Sequence, residues 1–310
     1  MTRAHAPGKV ILVGEHAVVY GRPAIAVPVW EAVATAEVRN GAAGAGCVIH
    51  ARDLGKTIRL ADAPHDEPLA LVARLALRRA GLVGDPDWRI NIDSDLPIAG
   101  GLGSGAAVSA ALVRAILLHA GMELAPEVVS ELTYAGEEVH HGTPSGIDNT
   151  VVAYGQPVWF VRGEPPAIFA CAAPFRIAIA DSGATGPTRV MVDQVRARRA
   201  ANPARYDGWF DEIGEIVQAA RQALEAGRPA GLGPLFDRNQ ALLAQIGVST
   251  PALERLMAAA RAAGAGGAKL SGAGGGGNII ALVEDEAVEP VRAALLAAGA
   301  KRVLVTTVAA

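Results

Sequence analysis

Glycine placement limits this chain more than any other feature. Of the 36 glycines, those at three places with different neighbours matter most. The first, Ala6-Pro7-Gly8-Lys9, precedes a strand-like run, Val10 to Val13. The second, Gly100-Gly101-Leu102-Gly103-Ser104-Gly105, runs straight into an alanine-rich segment, Ala106 to His119, that is apolar on nearly every face and so predicts a central buried helix. The third, Gly272-Ala273-Gly274-Gly275-Gly276-Gly277, lies between strand-like Ala268 to Ser271 and Asn278 to Val283.

A glycine turn that opens a helix lets backbone N–H groups converge beside the positive end of the helix dipole, a geometry suited to a polyanion. The second cluster therefore reads as a phosphate cradle. The third contains glycines at dinucleotide-fingerprint spacing, Gly272, Gly274 and Gly277, but a strand follows where that fingerprint needs a helix. It reads as a tight loop whose backbone approaches another loop or a ligand.

Between the clusters, strands are expected at Ala24 to Val29, Val33 to Val38 and Trp88 to Ile92, with helices at about Glu67 to Ala80 and Pro126 to His140. His141 to Asn149, with its glycines and proline, reads as a loop, and Val151 to Tyr154 as a strand. The second half alternates strands and helices and ends in a strand, Val303 to Val308. This interleaving predicts a mixed α/β, or α+β, chain of two domains, 1–165 and 166–310.

Composition narrows the partners. Hydrophobic types make up 51% and charged types 19% of 310 residues, enough to bury a large core. The net charge of −3 comes without like-charge blocks, so nucleic acid and membrane surfaces are not expected partners and a small molecule is. Two cysteines, Cys47 and Cys171, and the lack of a signal-peptide core near the N-terminus lead to the expectation of a reducing, cytoplasmic location.

Phosphate binding becomes phosphoryl transfer when a metal ligand, a positive clamp and a group facing the nucleophile are added. Asp148 stands in a constrained segment where a carboxylate can orient a hydroxyl and accept its proton. Lys9 can aim an ammonium at a phosphate or a reacting hydroxyl. Glu137, on the preceding helix, faces either water or a Mg²⁺ ion, and His16 taken alone is equally a structural histidine.

These pieces resemble the GHMP kinase superfamily. Its three motifs stand in order at Pro7 to His16, Pro97 to Ala107 and Lys269 to Gly277, and Gly14 to Gly21 together with Gly136 to Asn149 look most like the members that phosphorylate mevalonate. The resemblance implies a two-domain fold with the active site in the cleft, ATP and Mg²⁺ as co-substrate and metal, and mevalonate as acceptor; similar proteins are often homodimers. It implies Asp148 as catalytic base and Lys9 as the stabiliser of developing charge. Gly100, Gly101, Leu102, Gly103, Ser104, Gly105 and Ala106 would hold the nucleotide phosphates, and Ser104 with Glu137 would hold Mg²⁺. Glu15, His16, Gly272, Ala273 and Gly274 would bind substrate. The superfamily usually has two serines after Gly-Leu-Gly, whereas this chain has Ser104-Gly105, so Ser104 or water must fill the place of the second hydroxyl. Other acceptors of the superfamily, phosphomevalonate and homoserine, and a ligand sensor without turnover are the alternatives.

Overall fold

The computed structural model describes residues 1–97, 101–141, 145–184, 186 and 188–309. By packing, the chain forms two units that each draw on two stretches: Met1–Lys9 with Ala32–Gly155, and Val10–Glu31 with Gln156–Ala310. A single cut near residue 165 would leave Val10–Glu31 with the first unit. Those residues pack with the second because two long strands, β1 (Thr2–Val13) and β2 (Ala24–Asn40), each begin in one unit and end in the other. Strand β2 replaces the two shorter strands expected from the sequence.

In the first unit β3 (Val48–Ala51), β4 (Lys56–Arg59) and β5 (Trp88–Ser94) join the end of β2 in the order β4-β3-β5-β2, with β3 and β5 parallel. Helices α1 (Pro68–Arg79), α2 (Ser104–His119), α3 (Pro126–His141) and α4 (Ile147–Tyr154) pack on one another. Helix α2 is buried along most of its length, and its alanines at 106, 107, 110, 111 and 115 let α1 and α3 approach closely.

Helix α4 corrects the sequence reading twice. Asp148 lies in its first turn rather than in a loop, and Val151 to Tyr154 are helical rather than extended. The β-branched residues favour a strand locally, but Ile147 and Asn149 to Ala153 are all buried, and glycines in the left-handed conformation, Gly146 and Gly155, bracket the helix. Tertiary burial overrides the local preference here. The preceding Gly142-Thr143-Pro144 lies outside the described residues.

In the second unit β6 (Val158–Phe160) and β7 (Ala167–Ile168) extend from the start of β2. A second sheet, ordered β11-β8-β10-β9, contains β8 (Phe175–Asp181), β9 (Gly267–Ser271), β10 (Asn278–Val283) and β11 (Arg302–Val308), antiparallel throughout. Helices α5 (Thr188–Ala201), α6 (Pro203–Glu225), α7 (Leu232–Ile246), α8 (Pro251–Ala262) and α9 (Val288–Ala297) complete the unit. The third glycine cluster is the hairpin loop between β9 and β10, whose every residue is buried. Among the described residues, no helix is long and apolar enough to cross a membrane.

Candidate active site

In the first unit two glycines bring distant motifs together. A side chain on Gly8 would collide with Leu96 Cδ2 at 2.6 Å and press on the Leu102 carbonyl at 3.2 Å. One on Gly103, whose φ of +69° already disfavours other residues, would meet Lys9 Cγ at 2.9 Å. With both side chains absent, β1 lies directly against the second glycine cluster, and the Lys9 amide donates to the Leu102 carbonyl at 2.9 Å. Lys9 is thereby led past Gly103 to Asp148, and its Nζ stands 2.9 Å from Asp148 Oδ1. The lysine side chain is 7% exposed and the aspartate 28%, so the pair keeps one open side, on the carboxylate.

Glu137 of α3 is 9% exposed, not the solvated helical residue that its sequence context alone suggests. Burial, with a further push from the Asp148 carboxylate, raises its pKa to about 8 against the opposing pull of Lys9. Lys9, Asp148 and Glu137 thus form one electrostatic cluster with more acid than base. The N-terminus of α2 lies in the same unit. Gly103 is its N-cap, no side chain caps it, and no acidic residue sits in its first turn, which leaves a positive dipole end that suits an anion. Gly101 and Gly105 are exposed, Gly103 and Ser104 half-buried, and Leu102 and Ala106 buried. A side chain at Gly105 would meet nothing within 4 Å, so packing does not demand glycine there. Gly100 lies outside the described residues.

The remaining sequence candidates meet in the second unit. Glu15 and His16 are 1% and 6% exposed. Glu15 pairs with Lys269 of β9, which is wholly buried. Burial pushes the glutamate up and the lysine down from their ordinary values, each restrained by the other. His16 Nε2 lies 2.9 Å from the Ala273 carbonyl, so it donates and the ring is neutral; burial lowers its pKa to about 4. Gly272 to Gly277 are then fixed by neighbours: the Gly275 amide donates to the Val248 carbonyl at 2.8 Å and the Gly277 amide to the Ala184 carbonyl at 2.6 Å. Arg196, a second-half cation that could reach a carboxylate, pairs with Asp193 on its own helix at 2.9 Å.

Lys269 is the residue that sequence reasoning passed over, having treated it only as the start of a motif. Its signal was available, since a lysine inside an apolar strand must find an acid or lose its charge.

Residues 69–156 match the family model of the GHMP kinases N terminal domain, and residues 220–301 that of the GHMP kinases C terminal. The mevalonate kinase of Pyrococcus horikoshii is 35% identical over 96% of this chain and 92% of its own. That of Thermococcus sibiricus is 33% identical over 96% and 93%. The crystal structure of L. major mevalonate kinase in complex with R-mevalonate superposes with a TM-score of 0.85 at 28% identity, over 100% of this chain and 96% of that one. Motif order, fold and full-length similarity agree, and the chain belongs to the GHMP kinase family, on the branch of the mevalonate kinases.

Proposed function

We propose that this chain transfers the γ-phosphoryl group of ATP to the primary hydroxyl of mevalonate, giving 5-phosphomevalonate and ADP. The observation that carries this reading is the Lys9–Asp148 pair at 2.9 Å, with its carboxylate partly open, beside a buried second carboxyl group and in the same unit as an uncapped helix N-terminus. The mevalonate kinases among its relatives support mevalonate as acceptor.

Asp148 orients the acceptor hydroxyl and takes its proton as the oxygen attacks phosphorus and the bond to the ADP oxygen breaks. Lys9 holds the carboxylate in place and lowers the energy of negative charge developing on the nucleophile and the phosphoryl group. Residues 101–106 offer backbone N–H groups and the α2 dipole to the nucleotide phosphates. The donor set suits Mg²⁺, since Glu137 is a buried carboxylate destabilised by Asp148, and Ser104 is a half-buried hydroxyl at the first position of α2. Among the described residues there is no cluster of three or more histidine, cysteine or acidic side chains that could hold a metal by protein ligands alone. Bound there by Glu137 and Ser104, Mg²⁺ would neutralise phosphate charge. We assign the Gly272-Ala273-Gly274 loop to substrate on the strength of the family motif alone, and the use of ATP is consistent with a cytoplasmic enzyme.

The test is an acceptor panel with ATP, followed by ADP release and product mass. Turnover with mevalonate and only background with phosphomevalonate and homoserine is expected. Preference for another acceptor, or binding of ATP and mevalonate without product, would overturn the reading.

A further inference from the structure

We infer that Glu15, His16 and Lys269 form a buried clamp that sets the Gly272–Gly277 loop, so that they serve the reaction as positioning residues and do not touch substrate. The inference rests on the reading above only in placing that loop at the working site. The clamp itself is a matter of geometry within the second unit.

Independent contacts stitch the segment 11–16 to the segment 269–273. Ser271 Oγ accepts from the Ile11 amide at 3.2 Å and donates to the Ile11 carbonyl at 2.9 Å, which bridges the edge of β1 to the end of β9. One turn of chain further, Lys269 Nζ donates to Glu15 Oε1 and to the Leu270 carbonyl, at the centre of the buried region. Oε2 of the same Glu15 carboxylate has no hydrogen-bond partner. His16 then donates from Nε2 to the Ala273 carbonyl. The side chain at 15 thus holds the strand that leads into the glycine loop, and the side chain at 16 holds the second residue of the loop itself.

The backbone is bent to make this possible. His16 has φ 60° and ψ −47°, and among the described residues it is the one non-glycine with positive φ. Such a conformation persists only where surrounding contacts enforce it, and it gathers at functional segments. Gly14, at φ 106°, has no room for a side chain against Pro23 and Ala24. The sharp bend turns Glu15 and His16 inward together. Glu15 is 1% exposed with Lys269 on its Oε1, and His16 spends its Nε2 on the Ala273 carbonyl.

Five of the six loop residues adopt positive φ, which only glycine does without strain, so the loop has little local preference of its own. It takes its shape from what holds it. That dependence makes loop order a direct readout of the clamp.

The experiment is hydrogen exchange on the full chain, resolved at the amides of Gly272–Gly277, for Glu15→Gln, Lys269→Met and the double variant, with steady-state kinetics beside it. Each single substitution should speed exchange in the loop by about tenfold or more while β10 and α2 stay protected. The double should be no worse than the poorer single, because the pair acts as a unit. In kinetics kcat should fall, with KM for mevalonate changed by no more than about twofold. If a single variant fails to fold, the double, which leaves no unpaired buried charge, carries the comparison. Unchanged loop exchange, or exchange raised equally throughout the second unit, would overturn the clamp. So would a raised KM for mevalonate in Glu15→Gln with loop exchange at the wild-type level, since that marks direct contact. An inactive wild-type protein would refute the kinase reading alone, and loop exchange would still decide the clamp.

Discussion

The molecule holds two lysine–carboxylate pairs with the same chemistry and opposite surroundings. In Lys9–Asp148 the lysine is nearly buried and the aspartate side chain is 28% exposed; in Lys269–Glu15 the exposures are 0% and 1%. A carboxylate that keeps an open side can meet an incoming hydroxyl and exchange a proton with it. One sealed on every side can only hold its partner, and removing either member would strand a buried charge at high cost. The difference teaches that accessibility of the acid, more than the presence of the ion pair, separates a candidate reacting group from a fastening one. Their neighbours follow the same division. Asp148 is accompanied by Glu137, a carboxyl group that a cation can induce to ionise, whereas Glu15 is accompanied by a histidine whose charged form burial disfavours.

The sharpest way to break this contrast is at the lysine of the open pair. Lys9→Met should lower kcat by about 10²-fold or more, the usual cost of losing a group aimed at developing charge, while the fold persists because Asp148 can turn to water. Unaltered kinetics would remove Lys9 from the reacting pair and leave it a purely structural residue.

A smaller effect concerns Glu137. Its pKa of about 8 in the folded chain lies above the ordinary 4.5. The protonated form is therefore favoured by folding, and the stability it contributes is fully present below pH 4.5 and is lost as pH rises through 8. Binding of Mg²⁺ through this carboxylate must release the proton, so affinity for Mg²⁺–nucleotide should rise by up to about tenfold per pH unit below 8 and then level. Glu137→Gln should flatten that rise in titration calorimetry. A pH-independent affinity in the wild type would remove Glu137 from the metal site.

His16 gives the opposite sign and the smallest effect. Its folded value of about 4 lies below the ordinary 6.5, so its contribution to stability is present above pH 6.5 and is lost as pH falls through 4. Denaturant unfolding between pH 4 and 6.5 should show stability climbing with pH, with a shallower climb in His16→Gln. An identical slope in the two proteins would mean that His16 is not held neutral in the fold.

Much of this arrangement was legible in the sequence, for reasons that can be named. Helix α2 and the loop before it announce themselves because glycine spacing and an all-round apolar face have few other solutions. The strands flanking Gly272 to Gly277 were readable from their apolar runs, and the glycine run does end in β10 rather than in a helix. The start of α4 was not, because Gly146 and Pro144 look like loop residues and Val151-Val152 like a strand until burial on all sides is known. Lys9 and Asp148 could be nominated separately, but their contact depends on Gly8 and Gly103 being too small to keep β1 from the glycine cluster, a relation between residues far apart in sequence. For Glu15 and His16 the motif suggested contact with substrate. The pairings of Glu15 with Lys269, across 254 positions, and of His16 with the Ala273 carbonyl are what argue for the positioning role inferred above.

The most direct test is the single-turnover rate of ADP formation in Asp148→Asn at saturating ATP and mevalonate, with unfolding measured on the same protein. A rate lower by at least about 10²-fold, in a variant that unfolds at the same denaturant concentration as the wild type, is the result predicted for a general base. A folded variant that turns over at close to the wild-type rate would contradict the assignment of the open pair as the reacting one.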